Sequence, residues 1–354
     1  PTGYLALCEN NLPDPEIKLP ADNFNTVIYT GDGSGTNAIT GVGFQPDFTW
    51  IKNRDSARSH AVYDAIRGAT KQLSSDNNET EKTKTDGLES FDSDGFTVGS
   101  ENSVNENTDG LVAWNWLGDG VAGGTLNEDG SEDSQVNVNT TSGFSSVTYT
   151  GTGSLATIGH GLTEAPELVI IKDRDGVEQW VVYAEPIGNT KFLKLSTNDA
   201  STTDTSGNRW NSTSPSATVF TVNIDSAVNT STNDYVAYCF HSVEGYSKVG
   251  SYLGNGNADG TFVYTGFRPA YVLSKDTNSA NNWAVVDDAR NTYNVSNARL
   301  EPNDSDDEST SLTCFDFVSN GFKARTSDAD FNQDDYVYVY LAFASYPFKY
   351  SPAR

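Results

Sequence analysis

The groups in this chain with chemistry to offer are three histidines, three cysteines and 48 carboxylates. His160 lies in the glycine-flanked turn Ile158-Gly-His-Gly-Leu162, and His241 ends an apolar run beside Ser242. His60 stands where two related stretches carry Trp180 and Trp283, which makes it a packing position. No serine or cysteine occupies a G-x-S-x-G elbow, so the pattern gives no nucleophile with a base beside it. Asp92 with Asp94, and Asp328 with Asp330, are the tightest carboxylate pairs. In so acidic a chain such neighbours arise freely, and both sit among turn residues. The acidic turns 127–133, 303–308 and 328–330 hold oxygen donors, but none has the spacing of a calcium loop. Cys8, Cys239 and Cys314 are unclustered and odd in number, so neither a disulfide framework nor a zinc site is expected. No catalytic residue, metal ligand or cofactor site is assigned, and the chain does not read as an enzyme.

These groups sit on elements that recur. Tyr29-Thr-Gly31-Asp-Gly33 returns as Tyr149-Thr-Gly151-Thr-Gly153 and as Tyr252-Leu-Gly254-Asn-Gly256. The same two offsets carry Pro46 to Pro166 and Pro269, and Lys52 to Lys172 and Lys275. Further on, Leu111-Val-Ala-Trp114 matches Tyr235-Val-Ala-Tyr238 and Tyr340-Leu-Ala-Phe343, and Asn105 matches Asn229. Self-similarity at a near-constant period is the mark of repeated structural units. The runs between landmarks are β-branched and aromatic, and Gly, Asn, Asp and Ser separate them. Asp94-Gly95 and Asn320-Gly321 read as type I′ hairpin turns. The expected fold is all-β: three tandem diverged β-sandwich repeats, jelly-roll-like.

The boundaries follow. Residues 1–23 form an N-terminal connector, 24–118 the first repeat, and 119–143 a Gly-rich acidic linker or extended hairpin. Residues 144–242 form the second repeat, 243–349 the third, and 350–354 a C-terminal tail. The second and third join almost directly, so those two are expected to pack tightly and the first more loosely. Arg67 with Asp64, and Arg290 with Asp287, hold equivalent places that Ile187 and Ala184 take in the second repeat. Gained and lost together, they point to a local Arg–Asp contact. Trp210 and Tyr246 have no repeat counterpart, which makes them candidate glycan contacts through ring stacking.

The formal net charge of -26 excludes the basic stripe that nucleic-acid binding needs and disfavours anionic membranes. It favours solubility and repulsion between copies. An aromatic content of 11% argues for a folded chain. The chain opens at Pro1 and holds no methionine, which reads as an excerpt of a longer protein.

Several of these strings together resemble an uncharacterised domain of tailed-bacteriophage virion proteins, particularly of marine phages. They are the Tyr-Thr-Gly-x-Gly turns, Gly43-Phe-Gln-Pro-Asp-Phe-Thr-Trp-Ile-Lys-Asn-Arg54, Arg67-Gly-Ala-Thr-Lys71, Phe91-Asp-Ser-Asp-Gly-Phe96, and Val243-Glu-Gly-Tyr-Ser-Lys248. In that family the region often follows a SPRY or concanavalin-A-like lectin domain. Tyr4-Leu-Ala-Leu-Cys8 with Leu12-Pro-Asp-Pro15 is similar to that junction. The resemblance implies a structural protein on the virion exterior: a tail fibre, head fibre or capsid decoration. Its partners would be other virion proteins, copies of itself (a trimer first) and a host surface glycan. A carbohydrate-binding adhesin is the alternative, with a polysaccharide depolymerase behind it. No catalytic residue is carried over.

Overall fold

The computed structural model describes residues 14–350, so Cys8, most of the expected connector and the end of the tail lie outside it. The all-β expectation holds: many antiparallel strands, with two α-helices of one turn each.

Three main sheets, of four, eight and four strands, organise the described residues, and each contains the same four-strand core. In the first lobe Gly110–Trp116 lies between Phe24–Thr30 and Phe48–Asn53, and Ala61–Asp64 pairs outside the latter. The second lobe uses Phe144–Thr150, Asp234–Phe240, Leu168–Asp173 and Val181–Ala184 in the same order. The third uses Ser247–Leu253, Val337–Pro347, Phe267–Asp276 and Ala284–Asp287, again in that order. The registers correspond too: Trp116 faces Phe48, Phe240 faces Leu168 and Phe343 faces Tyr271, so the expected match of Trp114 and Tyr238 to Phe343 is two residues out and their counterpart is Leu341.

Each main sheet is covered on both faces, which is why its strands read as continuous apolar runs. Side chains alternate across a strand. Phe48 and Trp50 therefore enter one core while Ile51 enters another; Leu168 and Ile170 part in the same way from Val169 and Ile171. The outward set meets a small second sheet and makes a private core for each lobe. Asn37–Thr40 with Gly95–Val98 and Leu88–Asp92 closes the first lobe, and Ala156–Gly159 with Val219–Val222 the second. Phe262–Tyr264 with Gly321–Ala324 and Phe315–Val318 closes the third. The inward set from all three lobes forms a single shared core, rich in aromatic rings. Ring pairs cross every seam: Phe48–Tyr238 at 4.3 Å between first and second, Phe240–Phe343 at 6.1 Å between second and third, Phe24–Phe343 at 4.7 Å between third and first.

Two further expectations need correction. The first lobe is not looser: it contributes Phe24, Phe48, Trp50, Trp114 and Trp116 to the shared core. Of the linker and the extended hairpin expected over 119–143, the structure has the hairpin: Thr125–Asn127 and Ser134–Asn139 pair and extend the second lobe's main sheet through Phe144–Thr150. The hairpins near Asp94 and Asn320 are real, but their loops are Ser93-Asp94 and Ser319-Asn320. None of those four residues has positive φ, so the turns are not type I′.

Candidate functional site

The recurring motif residues serve the backbone. Tyr29, Tyr149 and Tyr252 donate their hydroxyls to the carbonyls of Val104, Val228 and Phe331 at 2.7–2.8 Å. The first glycine of each motif then donates its N–H across to Asp109, Asn233 or Tyr336, each at 2.8 Å. A Cβ on Gly31, Gly151 or Gly254 would stand 2.1 Å from a carbonyl oxygen, so no other residue fits there. Asn105, Asn229 and Asn332 complete the latch by bonding the motif's own backbone and side chains. The third asparagine escaped sequence reading because loop-length drift hid its register. Lys52, Lys172 and Lys275 are fully buried, with each Nζ donating to the carbonyl of the next residue at 2.5–2.7 Å. Burial lowers all three ammonium groups to about 8.

The seams use the next set of residues. Between first and second lobes, Arg67 Nε donates to Asp64 at 2.6 Å and Nη1 to Glu81 at 3.1 Å. Arg174 of the second lobe forks onto the same Glu81 at 2.9 and 3.1 Å, and Tyr238 donates to Asp64 at 2.5 Å. Between third and first lobes the pattern repeats. Arg290 binds Asp287 and Glu308, Arg54 forks onto Glu308 at 2.9 and 2.8 Å, and Trp114 Nε1 donates to Asp287 at 3.0 Å. Burial opposes ionisation of Glu81 and Glu308, but the paired guanidiniums overcome it and hold both carboxyls below their usual range. The Arg–Asp contact expected from sequence is thus one half of a cluster that crosses between lobes. At the seam between second and third lobes Ala184 and Ile187 replace Asp and Arg. The backbone contact persists there: Ser201 N–H donates to Thr277 O at 3.0 Å, as Glu81 does to Arg174 and Glu308 to Arg54.

One ring nitrogen also crosses each seam. Trp180 Nε1 donates to Ser74 O and Trp283 Nε1 to Lys194 O, both at 2.8 Å. His60 takes that role at the remaining seam, with Nε2 3.0 Å from Glu301 O. Its Nδ1 accepts from Trp50 Nε1 at 2.8 Å, so the proton is assigned to Nε2. Burial, reinforced by Lys52, pushes this imidazole well below its ordinary pKa and keeps it neutral.

Beside the seams lie clefts at matching ends of the main sheets. In the first lobe Asp47 accepts from Gly118 N–H at 2.7 Å, Gly120 N–H at 3.2 Å and Asn137 Nδ2 at 3.0 Å, so the chain itself occupies the place. In the second lobe an open cleft of about 650 Å³ collects Glu16, Glu164, Glu167, Glu185 and Glu244 around His241. In the third a cleft of about 340 Å³ is lined by Thr26, Arg268, Asp288, Ser345 and Tyr346 among others. These residues come from both sides of a seam, and sequence reading did not bring them together.

Trp210 and Tyr246, the candidate glycan contacts, are 3% and 1% exposed. Trp210 lies in the second lobe's core with Nε1 bonded to Lys191 O, and Tyr246 lies in the shared core. Neither presents a face to a sugar. His160 is buried between Leu162 N–H and Ser216 O. Asp92 accepts from Ser90 and Thr97, Asp94 caps Gly41 and Gly43, and Asp330 pairs with Arg299. Cys239 and Cys314 are free and buried. Among the described residues no three His, Cys, Asp or Glu side chains converge as a metal-holding group.

A family model described as a domain of unknown function (DUF7483) matches residues 19–347, and the chain belongs to that family. No curated protein matches it.

Proposed function

We propose that this protein is a non-catalytic structural and contact module displayed on the exterior of a tailed-phage particle, as a tail fibre, head fibre or capsid decoration. The observation that carries the reading is the closed ring of three lobes around one aromatic core. The recurring residues are spent on turns, latches and seams, and what faces outward is a rigid, polar, acidic surface. Such a surface suits multivalent contact, where copies on one particle turn weak binding into avidity. The common strand order supports the further reading that the lobes are diverged copies of one unit. The setting rests on the motif resemblance, which is associational. Symmetric self-association, with a trimer favoured, fits a protein of this kind.

The test is imaging of purified particles with an antibody against this chain, beside adsorption assays with and without it. Exterior label is expected. Label inside the capsid, or absence from particles, overturns the proposal. Exterior label with unchanged adsorption after deletion leaves decoration and removes receptor contact.

A further inference from the structure

We propose that the third-lobe cleft is a saccharide subsite that takes one uncharged pyranose ring. The inference deepens the surface-contact reading by naming a partner chemistry, although the binding itself is a property of the isolated protein.

The cleft runs along a seam, with Asn25 and Thr26 of the first lobe on one wall and Arg268, Asp288, Ser345 and Tyr346 of the third on the other. Its polar groups are already ordered by one another. Arg268 Nη1 donates to Asp288 Oδ2 at 2.6 Å and to Ser345 Oγ at 2.8 Å, and Ser345 Oγ donates to the same Asp288 oxygen at 2.9 Å. Both bonds to Asp288 fall on Oδ2, which leaves Oδ1 as an acceptor. Thr26 lines the opposite wall, with its Oγ1 closed off from solvent. Tyr346 pairs with Arg268 across the strands and is 44% exposed. Phe24, Ala270 and Ala344 supply an apolar part of the lining.

Ordered acceptors and donors in one cleft with an accessible aromatic residue match one ligand chemistry well. A pyranose carries hydroxyls that both donate and accept, and a C–H face that packs on an aromatic ring. A phosphate or sulfate meets Asp288 and the chain's overall negative charge, and a cation meets Arg268. The size falls at the small end of ligand pockets, suited to one ring. The matching places argue the same way: the first lobe's is filled by its own chain, and the second lobe's carries five glutamates and no Phe, Tyr or Trp.

The experiment is saturation-transfer NMR and titration of the whole chain with methyl pyranosides of glucose, galactose, mannose and N-acetylglucosamine. At least one is expected to bind with roughly millimolar Kd, the scale of a single-ring contact. Tyr346→Ala and Asp288→Asn should each weaken it about tenfold or more, with melting temperatures tracked for both. Tyr346 is a surface residue, so its variant separates lost binding from lost folding. No transfer to any pyranoside, or transfer that Tyr346→Ala leaves unchanged, overturns the subsite. The particle-labelling result is independent of this one, so failure of either reading is recognisable by itself.

Discussion

The seam between first and second lobes and the seam between second and third do the same job with opposite materials. The first buries Asp64, Arg67 and Glu81 and brings in Arg174 and Tyr238 from across the boundary. The second has Ala184 and Ile187 at the matching places and keeps the backbone bond from Ser201 to Thr277 and the ring bond from Trp283 to Lys194. Both leave the same sheets in the same relation to the shared core. The geometry therefore comes from ring packing and the backbone contact, and the ionic cluster is a local solution laid over it. Buried ion pairs commonly behave this way, since desolvation consumes most of the Coulombic gain.

The largest expected effect follows directly. Arg67→Met removes one partner and leaves Asp64 buried against Tyr238, which should cost about 3–5 kcal/mol in denaturant unfolding. The combined change Asp64→Ala, Arg67→Ile, Glu81→Ser, Arg174→Thr and Tyr238→Phe removes every charge and the buried hydroxyl of the cluster, as at the plain seam, and should recover most of that loss. A combined variant no better than the single one would mean that the charges set the geometry.

The next sharpens the comparison through pH. His60 is neutral and buried where the other seams carry tryptophan. Its folded pKa lies below the unfolded value near ~6.5, so its contribution is complete above that pH and is lost as pH falls below it. The paired change Trp50→Leu, His60→Trp reproduces the third lobe's Leu273 and Trp283, and should flatten the wild type's stability loss below pH ~6.5. An unchanged acid limb would remove His60 as its source.

A smaller effect of the same kind belongs to Lys172. Its ammonium is lowered to about 8 by burial, against roughly 10.4 unfolded, so its penalty is present below pH 8 and relieved as pH rises to the unfolded value. Relative to Lys172→Met, the wild type should gain stability between those limits. A gap that stays constant with pH would contradict the buried-charge assignment.

Much of this was legible in the sequence, because local rules and repetition agree. The Tyr-x-Gly-x-Gly turns, the lysines and the all-β pattern each follow from strand period and glycine chemistry. Arg67 and Asp64 were readable as a pair three residues apart. Glu81 and Arg174 were not, since 93 residues separate them and only lobe packing joins them. Trp210 and Tyr246 misled because a missing counterpart was taken as exposure; a ring that fills a lobe-specific gap lacks a counterpart too. The third-lobe cleft was invisible, as Thr26, Arg268, Asp288 and Ser345 come from four separate stretches.

The claim beneath all of these is that three lobes form one cooperative body, held by a shared core and a closed ring of seams. Scanning calorimetry of the wild-type chain tests it most directly. A single transition with equal calorimetric and van't Hoff enthalpies is expected, shifted down but not split by Arg67→Met. Two or three resolved transitions, with one lobe melting by itself, would contradict it.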